Sequence, residues 1–485
     1  MNRRQFVTSS AAIAGLALTS PRSTLAQVRS ASDLRVAVIG VKGQGSGHMG
    51  NLSKNLVAIC DVDQTILNDR AGEFRAETGR KLETYSDYRR LLENQDIDAV
   101  SIATPNHTHS LIAIAAINAG KDVYVEKPVS HNVWEGRQLS AAARKSGRVV
   151  QCGTQSRSSQ ALQEAVKWVR GGGLGEIRYA LGTCFKPRQS IGKLDSPLTI
   201  PSSVDYDLWC GPAEKVDLFR PKLHYDWHWD FNTGAGDMGN QGIHQMDVAR
   251  WFLGEDGVAP RCVSIGARLG YDDAGNTPNT QVVLHDYPTA PLIFETRGLP
   301  RSKAGQRRWG DSMDRFRGSQ IGVIVQCQDG YVHASNDYEN AAAYDNHGKE
   351  VKSWRGGGNH HANWLEAVAA HDPKLLNAEV RQGHVSSALC HIGNVSHRLG
   401  EQRAASDIAN EIAGNALLSG AFERMASHLR ANEIDVDGAP GALVMGPWLE
   451  IDPKSEQFKG NAQASKLRSR DYRSGFEIPE VDSTV

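Results

Sequence analysis

The sequence lacks an excess of charge of either sign. Its 485 residues include 54 lysines and arginines and 55 aspartates and glutamates, which gives a formal charge of -1. Because nucleic acids and anionic membrane surfaces attract basic proteins, we expect neither as a partner. No apolar run is long enough to span a bilayer, so integral membrane association is not expected. With 40% hydrophobic residues the chain is of ordinary globular composition, and the expected partner is a small molecule.

Cysteine is scarce and irregularly spaced. The seven cysteines lie at positions 60, 152, 184, 210, 262, 327 and 390 and include no CxxC pair. This pattern excludes a disulfide framework and a zinc site, and several of the thiols lie in apolar runs where buried cysteines are common. The histidines lack a ligand spacing with companion carboxylates, so no metal is predicted.

The first 26 residues resemble a twin-arginine export signal. Arg3 and Arg4 precede an apolar run at residues 11–18, and small residues at 24–26 offer a cleavage site. The run is too short for a membrane-spanning helix. We therefore expect export to the periplasm. The alternative is an N-terminal tail with two chance arginines.

Residues 33–153 are predicted to form a doubly wound α/β domain. Five apolar runs, at residues 34–40, 56–60, 99–103, 123–125 and 149–152, alternate with helix-length segments whose apolar residues lie three and four apart. Buried strands that alternate with helices indicate a parallel sheet of the Rossmann type.

A glycine-rich turn after the first strand predicts dinucleotide binding. Gly40 and Gly45 occupy the outer positions of a GxGxxG pattern, but Lys42 occupies the middle one, so Gly43 is expected to allow close approach of a pyrophosphate. Alone, such a turn could be a mere strand-to-helix connection. Asp61, at the end of the second strand, is placed to bind the ribose hydroxyls and to repel a 2'-phosphate, which favours NAD over NADP.

Two polar segments follow later strands, Thr104-Pro105-Asn106-His107-Thr108-His109 and Glu126-Lys127-Pro128. Here the sequence resembles the glucose-fructose oxidoreductase and inositol dehydrogenase (Gfo/Idh/MocA) family, with its TPxxxH and EKP motifs. The resemblance continues through residues 153–155, 207–212, 236–247 and 360–400, and the last of these segments looks like that of exported bacterial members. It implies that Thr104, Asn106, His109, Glu126, Lys127 and Gln155 contact the cofactor.

The resemblance also implies two catalytic residues. Lys127 matches the EKP lysine, which lies by the nicotinamide and the reacting hydroxyl, and an ammonium in that place should have a lowered pKa. His244 matches the histidine of GxHxxD, in a helix-like run at residues 243–253. The alternatives are a surface lysine and a buried core histidine. Asn240 stands where many family members have aspartate. An amide can orient a hydroxyl but cannot take its proton, so Lys127 and His244 would share the acid-base work.

An aromatic stretch that includes Trp227, His228 and Trp229 is expected to contact a sugar ring, although an aromatic core or a subunit contact is the alternative. Residues 154–485 are predicted to form an α+β domain for substrate binding and oligomerisation. It has strand-like runs at 178–185, 260–269, 280–285, 292–296, 321–327 and 330–334, and helices from His360 onward. Residues 186–203 and 299–318 are expected to be surface loops. The family implies an open, mostly antiparallel sheet and a homo-oligomer.

These patterns predict an NAD-dependent oxidoreductase that acts on a hydroxyl of a sugar or glycoside, with tightly held cofactor that is bound before export. One alternative is an NAD-dependent glycosidase that oxidises the C3 hydroxyl transiently and eliminates the aglycone. Another is a non-catalytic sugar-binding protein, which would have no reason to keep Lys127 and His244 at these spacings.

Overall fold

The first domain is built on a six-stranded parallel sheet. The computed structural model describes residues 30–438 and 441–481, so the predicted export signal lies outside the described residues. The strand order is β3-β2-β1-β4-β5-β6, and every neighbouring pair is parallel. The strands are β1 (Val36–Ile39), β2 (Leu56–Cys60), β3 (Glu83–Tyr85), β4 (Ala99–Ile102), β5 (Asp122–Val125) and β6 (Val150–Cys152). The helices are α1 (Gln44–Asn51), α2 (Gln64–Thr78), α3 (Tyr88–Glu93), α4 (His109–Asn118) and α5 (Val133–Ser146).

The predicted doubly wound parallel sheet is confirmed, but the predicted number of strands is wrong by one. The strand β3 lies at the edge of the sheet, and its three residues are exposed or half-buried. An edge strand of this kind needs no apolar run, and for that reason the hydrophobic pattern missed it. The strands β1, β4, β5 and β6 are buried throughout and gave clear apolar runs.

The second domain contains a sheet of twelve strands that is antiparallel except between β7 and β10. Ten strands follow the order β14-β13-β12-β11-β7-β10-β9-β8-β16-β15, with β17 and β18 beside β8. The strands are β7 (Ile177–Phe185), β8 (Arg261–Ala267), β9 (Thr280–His285), β10 (Leu292–Arg297), β11 (Ile321–Cys327), β12 (Gly330–Ser335), β13 (Asn340–Asp345), β14 (Glu350–Arg355), β15 (Glu401–Arg403), β16 (Leu443–Met445), β17 (Leu449–Ile451) and β18 (Phe458–Lys459). The helices are α6 (Gln160–Arg170), α7 (Tyr206–Cys210), α8 (Ile243–Leu253), α9 (His360–Ala370), α10 (Val380–Arg398), α11 (Ala405–Ile412), α12 (Ala416–Ala431) and α13 (Ala462–Leu467).

The six strands predicted in this domain are present and the mostly antiparallel sheet is confirmed, but β13 to β18 were missed. In β13 small alanines replace bulky β-formers, and β14 is exposed at every position except Trp354. The segment 299–318 is not a plain surface loop, because it contains two short 3₁₀ turns and buries Leu299 and Met313.

Helices cover both faces of the large sheet. One face packs against α6, α8 and α10, and α11 and α12 cover part of the other. The helix α10 also packs against α5, so a shared core joins the two domains. All seven cysteines are buried and free. The packing fixes α8 beside the carboxyl edge of the parallel sheet, where the functional residues lie. The domain boundaries and the homo-oligomer stay predictions.

Candidate active site

Two connected spaces lie at the carboxyl edge of the parallel sheet. The first, which we call the long cleft, has a volume of about 570 Å³ and runs along the turns after β1, β2, β4 and β5. The second, the polar cavity, has a volume of about 690 Å³ and extends to α8. Glu126, Lys127 and Asn240 line both, so the two spaces meet at these residues.

Most of the predicted site residues line one of these spaces. The long cleft is lined by Gly40, Gly43, Asp61, Thr104, Asn106, His109, Trp227 and His228, and the polar cavity by Gln155 and His244. Gly45 and Trp229 line neither space. The structure thus brings the predicted cofactor and catalytic residues together.

The glycines of the first turn have different roles. A Cβ atom on Gly40 (φ 81°) would lie 2.8 Å from the carbonyl of Ala103, and one on Gly45 would lie 1.8 Å from the Gly40 oxygen. These two glycines therefore pack the turn against β4. Gly43 (φ 56°) precedes α1, and no atom lies within 4 Å of its Cβ position. Gly43 leaves the open space that close approach of a phosphate requires.

Asp61 is held against the same turn. Its Oδ2 accepts a hydrogen bond from the Val41 amide at 2.9 Å and its Oδ1 accepts one from the Asp63 amide at 3.0 Å. Burial raises the pKa of the carboxyl, and these two hydrogen bonds oppose the effect. Each oxygen keeps a second lone pair, so the carboxylate can still accept hydrogen bonds from a ribose.

Of the residues after β4, Asn106 has the polar atom that is free for a ligand. Its side chain is buried, and the Oδ1 atom has no hydrogen-bond partner. His109 differs, because Nδ1 contacts the Pro128 carbonyl at 2.6 Å and Nε2 contacts the Thr104 carbonyl at 2.7 Å. With both ring nitrogens occupied, His109 ties the β4 loop to the turn after β5. His109 therefore lines the long cleft but has no free ring nitrogen with which to bind a cofactor.

Glu126 belongs to a buried network that sequence reasoning missed. Its Oε1 accepts hydrogen bonds from His48 Nε2 at 3.1 Å and Gln155 Nε2 at 3.2 Å, and its Oε2 accepts the Lys127 amide at 3.1 Å. Burial would raise the pKa of Glu126, but the His48 hydrogen bond and the charges of His48 and Lys127 lower it to about 2. The other nitrogen of His48 contacts Ser101 at 2.8 Å. Glu126 is therefore an ionised group that fixes the backbone at Lys127.

Lys127 is anchored by the backbone of a π-helical turn, Met238–Gly242. Its Nζ donates a hydrogen bond to the Asn240 carbonyl at 2.7 Å. Loss of contact with water lowers the pKa of the ammonium, Glu126 opposes this effect, and the positive charge of Lys186 adds to it. In a regular α-helix the Asn240 carbonyl would accept a hydrogen bond from within the helix, whereas in this wider turn it accepts one from Lys127.

His244 lies in the first turn of α8, in the helix that the sequence predicted. Its Nδ1 is buried without a partner. Burial, followed by the charge of Lys127, lowers the pKa of His244 to about 3, so the imidazole is neutral near pH 7. Three residues further along α8, Asp247 forms a bidentate ion pair with Arg157 at 2.9 and 2.8 Å, and this pair anchors the helix. No sequence pattern had indicated Arg157 as part of the site.

The predicted aromatic set is divided by the structure. Trp227 and His228 stack with ring centroids 3.6 Å apart and line the long cleft. Trp229 is instead 5% exposed and lies under the Arg188 guanidinium, at 4.8 Å from the ring centroid. Its predicted role in substrate contact is wrong for this reason, and the core alternative applies.

A segment at residues 198–230, which we call the strap, crosses one end of the long cleft. Val204 forms an antiparallel bridge with Asp63, and the Gln64 amide donates to the Ser203 carbonyl at 2.8 Å. His224 Nε2 contacts Asp63 Oδ2 at 3.0 Å. The C-terminal tail supports the strap, since Arg473 donates to the Asp207 and Gly211 carbonyls at 3.1 Å, and Phe476 of the tail lines the cleft. No sequence pattern predicted this closure.

Two searches of the described residues were negative. Within residues 30–438 and 441–481 there is no cluster of three or more histidine, cysteine, aspartate or glutamate side chains suited to a metal ion. The helices of that part of the chain include none with the length and apolar character needed to cross a membrane.

Comparison with known proteins gives matches in both domains. A model of an oxidoreductase family with an NAD-binding Rossmann fold matches residues 34–154, and a model of its C-terminal alpha/beta domain matches residues 182–289. The first match confirms the predicted NAD-binding domain. Levoglucosan dehydrogenase from Pseudarthrobacter phenanthrenivorans is 29% identical over 186 residues, which are 38% of this chain and 40% of that protein. Inositol 2-dehydrogenase from Salmonella typhimurium is 28% identical over 229 residues, which are 46% of this chain and 55% of that protein. The chain thus spans about half the length of these curated relatives.

Solved structures share the fold. A levoglucosan dehydrogenase in complex with NADH and levoglucosan has a TM-score of 0.54 at 18% identity, covering 74% of this chain and 95% of that one. The WlbA dehydrogenase from Bordetella pertussis, in complex with NADH and UDP-GlcNAcA, has a TM-score of 0.52 at 18% identity and covers 74% of this chain and 94% of that one.

Proposed function

This chain belongs to the Gfo/Idh/MocA family of oxidoreductases, and we propose that it oxidises a hydroxyl of a sugar or glycoside with NAD that stays bound between turnovers. The observation that carries the proposal is the pair formed by Lys127 and His244. Both side chains line the polar cavity, and Lys127 also lines the long cleft. Hydride transfer and proton transfer need neighbouring groups at such a junction.

The two side chains suit different tasks. The neutral imidazole of His244 has a buried nitrogen without a partner, so it can accept a hydrogen bond from the reacting hydroxyl and orient it. With its pKa near 3, it is too weak a base to keep the proton. Lys127 has a lowered pKa and can take that proton as the amine. Asn240 holds Lys127 in place through its backbone carbonyl.

The residues of the long cleft fit NAD. The open space at Gly43 admits a pyrophosphate, Asp61 can bind the ribose, and the unpartnered Oδ1 of Asn106 can accept a further hydrogen bond. NAD held there would supply the hydride acceptor. A 2'-phosphate would meet the carboxylate of Asp61, which supports NAD over NADP.

The strap supports retention of the cofactor. It is joined to the first domain at Asp63 and Gln64 by a backbone bridge, a backbone hydrogen bond and the His224 contact. We infer that these contacts hold the strap against the long cleft and slow the departure of a dinucleotide. Dissociation should therefore be slow compared with turnover.

The test begins with dialysed protein. Mass spectrometry of the denatured supernatant should find NAD(H), and a panel of glycosides should then change the bound nicotinamide absorbance without added NAD. Protein that is empty after dialysis, and that accumulates NADH in proportion to added NAD, would contradict retention. A panel in which no hydroxyl compound changes the cofactor or yields a product would contradict the oxidoreductase itself.

A glycosidase that uses NAD is the second candidate. Asn240 in the place of the usual aspartate, together with the strap, favours a reaction in which the hydride returns to the same substrate. Transient C3 oxidation acidifies the C2 proton, so the elimination and its reversal would exchange that proton with solvent. In D₂O the released sugar should carry deuterium at C2. A simple dehydrogenase would leave C2 unlabelled and release no aglycone.

Export to the periplasm is part of the proposal. Twin-arginine transport passes folded protein, so NAD could be loaded in the cytoplasm. The variant Arg3→Lys with Arg4→Lys should keep the protein in the cytoplasmic fraction, whereas the matched variant Arg22→Lys should be exported. Periplasmic recovery of the double variant would contradict the assignment.

A further inference from the structure

The polar cavity carries positive charge that no free carboxylate balances. Two lysines line it, Lys127 and Lys186, and the single acidic residue is Glu126. Both oxygens of Glu126 are already engaged by His48, Gln155 and the Lys127 amide. The remaining polar lining side chains are amides, histidines and a tyrosine. Glu126 acts on the neighbouring Lys127, so Lys186 is the cation of this cavity that has no carboxylate beside it.

Lys186 has no acidic partner among the described residues. Its Nζ donates to Gln241 Oε1 at 3.2 Å, and the side chain is half-buried. Other cations of the same loop are paired, since Arg188 binds Asp237 and Lys193 binds Asp272. An ammonium has three hydrogens, so Lys186 retains donors for a ligand. A partly dehydrated ammonium without an anion is costly, and an anionic ligand would offset that cost.

Two amide side chains that line the polar cavity with Lys186, those of Gln241 and Asn359, each have one oxygen lone pair already in use. The oxygen of Gln241 accepts from Lys186, and the Oδ1 of Asn359 accepts from the Ala362 amide at 2.9 Å as the cap of α9. Both residues line the polar cavity. A neutral sugar presents hydroxyl groups that donate as well as accept. A carboxylate only accepts, so it could use the Lys186 ammonium and these amide N–H groups together.

We propose that the polar cavity binds a sugar or glycoside that carries a carboxylate, and that Lys186 pairs with this carboxylate while Lys127 and His244 contact the reacting hydroxyl. The inference rests on the proposed function and specifies its substrate class. A carboxylate fits better than a phosphate dianion, because one unpaired lysine with amide donors balances one negative charge.

The experiment uses matched pairs of compounds that differ only at C6, each methyl uronide against the methyl glycoside of the same sugar. Binding to the dialysed protein is measured by calorimetry, and reduction of the bound cofactor or product release is measured in parallel. The wild type should bind one uronide at least tenfold more tightly than its neutral partner. Lys186→Met should weaken that uronide by about 10- to 150-fold, the range for a hydrogen bond to a charged group, and leave the neutral partner unchanged.

Three controls keep the result interpretable. Lys193→Met removes an exposed, paired lysine of the same loop and should change neither compound. Lys186→Arg keeps the charge and should retain most of the preference, so a loss in the methionine variant with retention in the arginine variant excludes misfolding. Sulfated sugars of the same series carry the same charge on a tetrahedral group, so they show whether the site selects a carboxylate or binds any anion.

The outcomes separate this inference from the proposed function. Equal binding of uronides and neutral glycosides, or an equal effect of Lys186→Met on both, would contradict the proposal that the substrate carries a carboxylate. If the bound cofactor were still reduced, the proposed oxidoreductase function would be unaffected. Sulfated sugars that bind as well as uronides would contradict the carboxylate proposal too. Uronides that bind through Lys186 but leave the cofactor and themselves unchanged would support the ligand class and contradict the oxidoreductase.

Discussion

Replacement of His224 by alanine should loosen the strap and release the cofactor faster. His224 Nε2 contacts Asp63 Oδ2 at 3.0 Å, whereas Asp63 Oδ1 accepts the Thr65 amide and caps α2. His224 is therefore the partner to remove, because replacing Asp63 would also damage the helix. The backbone bridge at Val204 remains in the variant, so the strap should stay in place but open more often.

The size of the effect follows from the exposure of the pair. A hydrogen bond to a charged group contributes about 1.5 to 3 kcal/mol when it is well buried. The His224 side chain is 28% exposed and that of Asp63 is 7% exposed, so solvent screening reduces the contribution. We take about 1 to 2 kcal/mol, which corresponds to about 5- to 30-fold faster release of NAD at 25 °C.

The contact should also depend on pH. Burial opposes ionisation of Asp63, but hydrogen bonds from Ser203 and His224 outweigh burial and lower the pKa of the carboxyl. A lowered pKa means that the contribution is complete above the ordinary pKa of an aspartate and is lost as the pH falls toward the lowered value. Release from the wild type should therefore speed up in acid, and release from His224→Ala should change less.

The assay follows loss of bound NAD after rapid dilution into an NAD-consuming enzyme. His347→Ala is the matched control, since that exposed histidine lies on the turn between β13 and β14, far along the chain from the strap. Thermal unfolding of each variant shows whether the fold is intact. A His224→Ala release rate equal to the wild-type rate, with the fold intact, would refute the role of the strap in retention.

Three further predictions concern the site itself. Lys127→Ala should lower kcat by about 10²- to 10⁴-fold, and the rise of kcat with pH through the lowered lysine pKa should disappear; a pH–rate profile within threefold of wild type contradicts the assignment. Asp61→Ala should weaken NAD and improve tolerance of NADP, measured as the ratio of their dissociation constants, and an unchanged ratio would count against the ribose contact. Asp247→Asn should cost about 3 to 5 kcal/mol in the free energy of unfolding, because Arg157 keeps a buried charge without its carboxylate; denaturant titration checks this, and a loss below 1 kcal/mol would mean that the pair does not anchor α8.

Local signals explain which parts of the fold and site could be predicted. The strands β1, β4 and β5 are buried on both faces and give continuous apolar runs, and α8 shows the three-residue spacing of His244 and Asp247. The glycine turn is equally local, because the requirement at Gly43 is set by the backbone of the turn itself. Residues of this kind can be found without knowledge of the packing.

The missed residues act through contacts between distant parts of the chain. His48 meets Glu126 at a separation of 78 residues, and His224 meets Asp63 at a separation of 161. No local sequence pattern identifies the partner of a single histidine in a glycine-rich helix or an irregular loop. Trp229 is the opposite case. Its sequence neighbours are the aromatic and polar residues typical of a sugar-binding site, but the Arg188 guanidinium covers its ring.

A retained cofactor restricts how the hydride can return. The strap and Phe476 lie along the long cleft, whereas Lys127 and Asn240 are shared with the polar cavity. If NAD stays in the long cleft, a molecule that takes the hydride back would reach it through the polar cavity, after the first product has left or as that product itself. The same donors would then recognise both molecules, and a shared carboxylate paired with Lys186 would give them a common point of attachment. The proposed substrate class and the proposed cofactor retention are linked in this way through Lys127 and Asn240, which line both spaces.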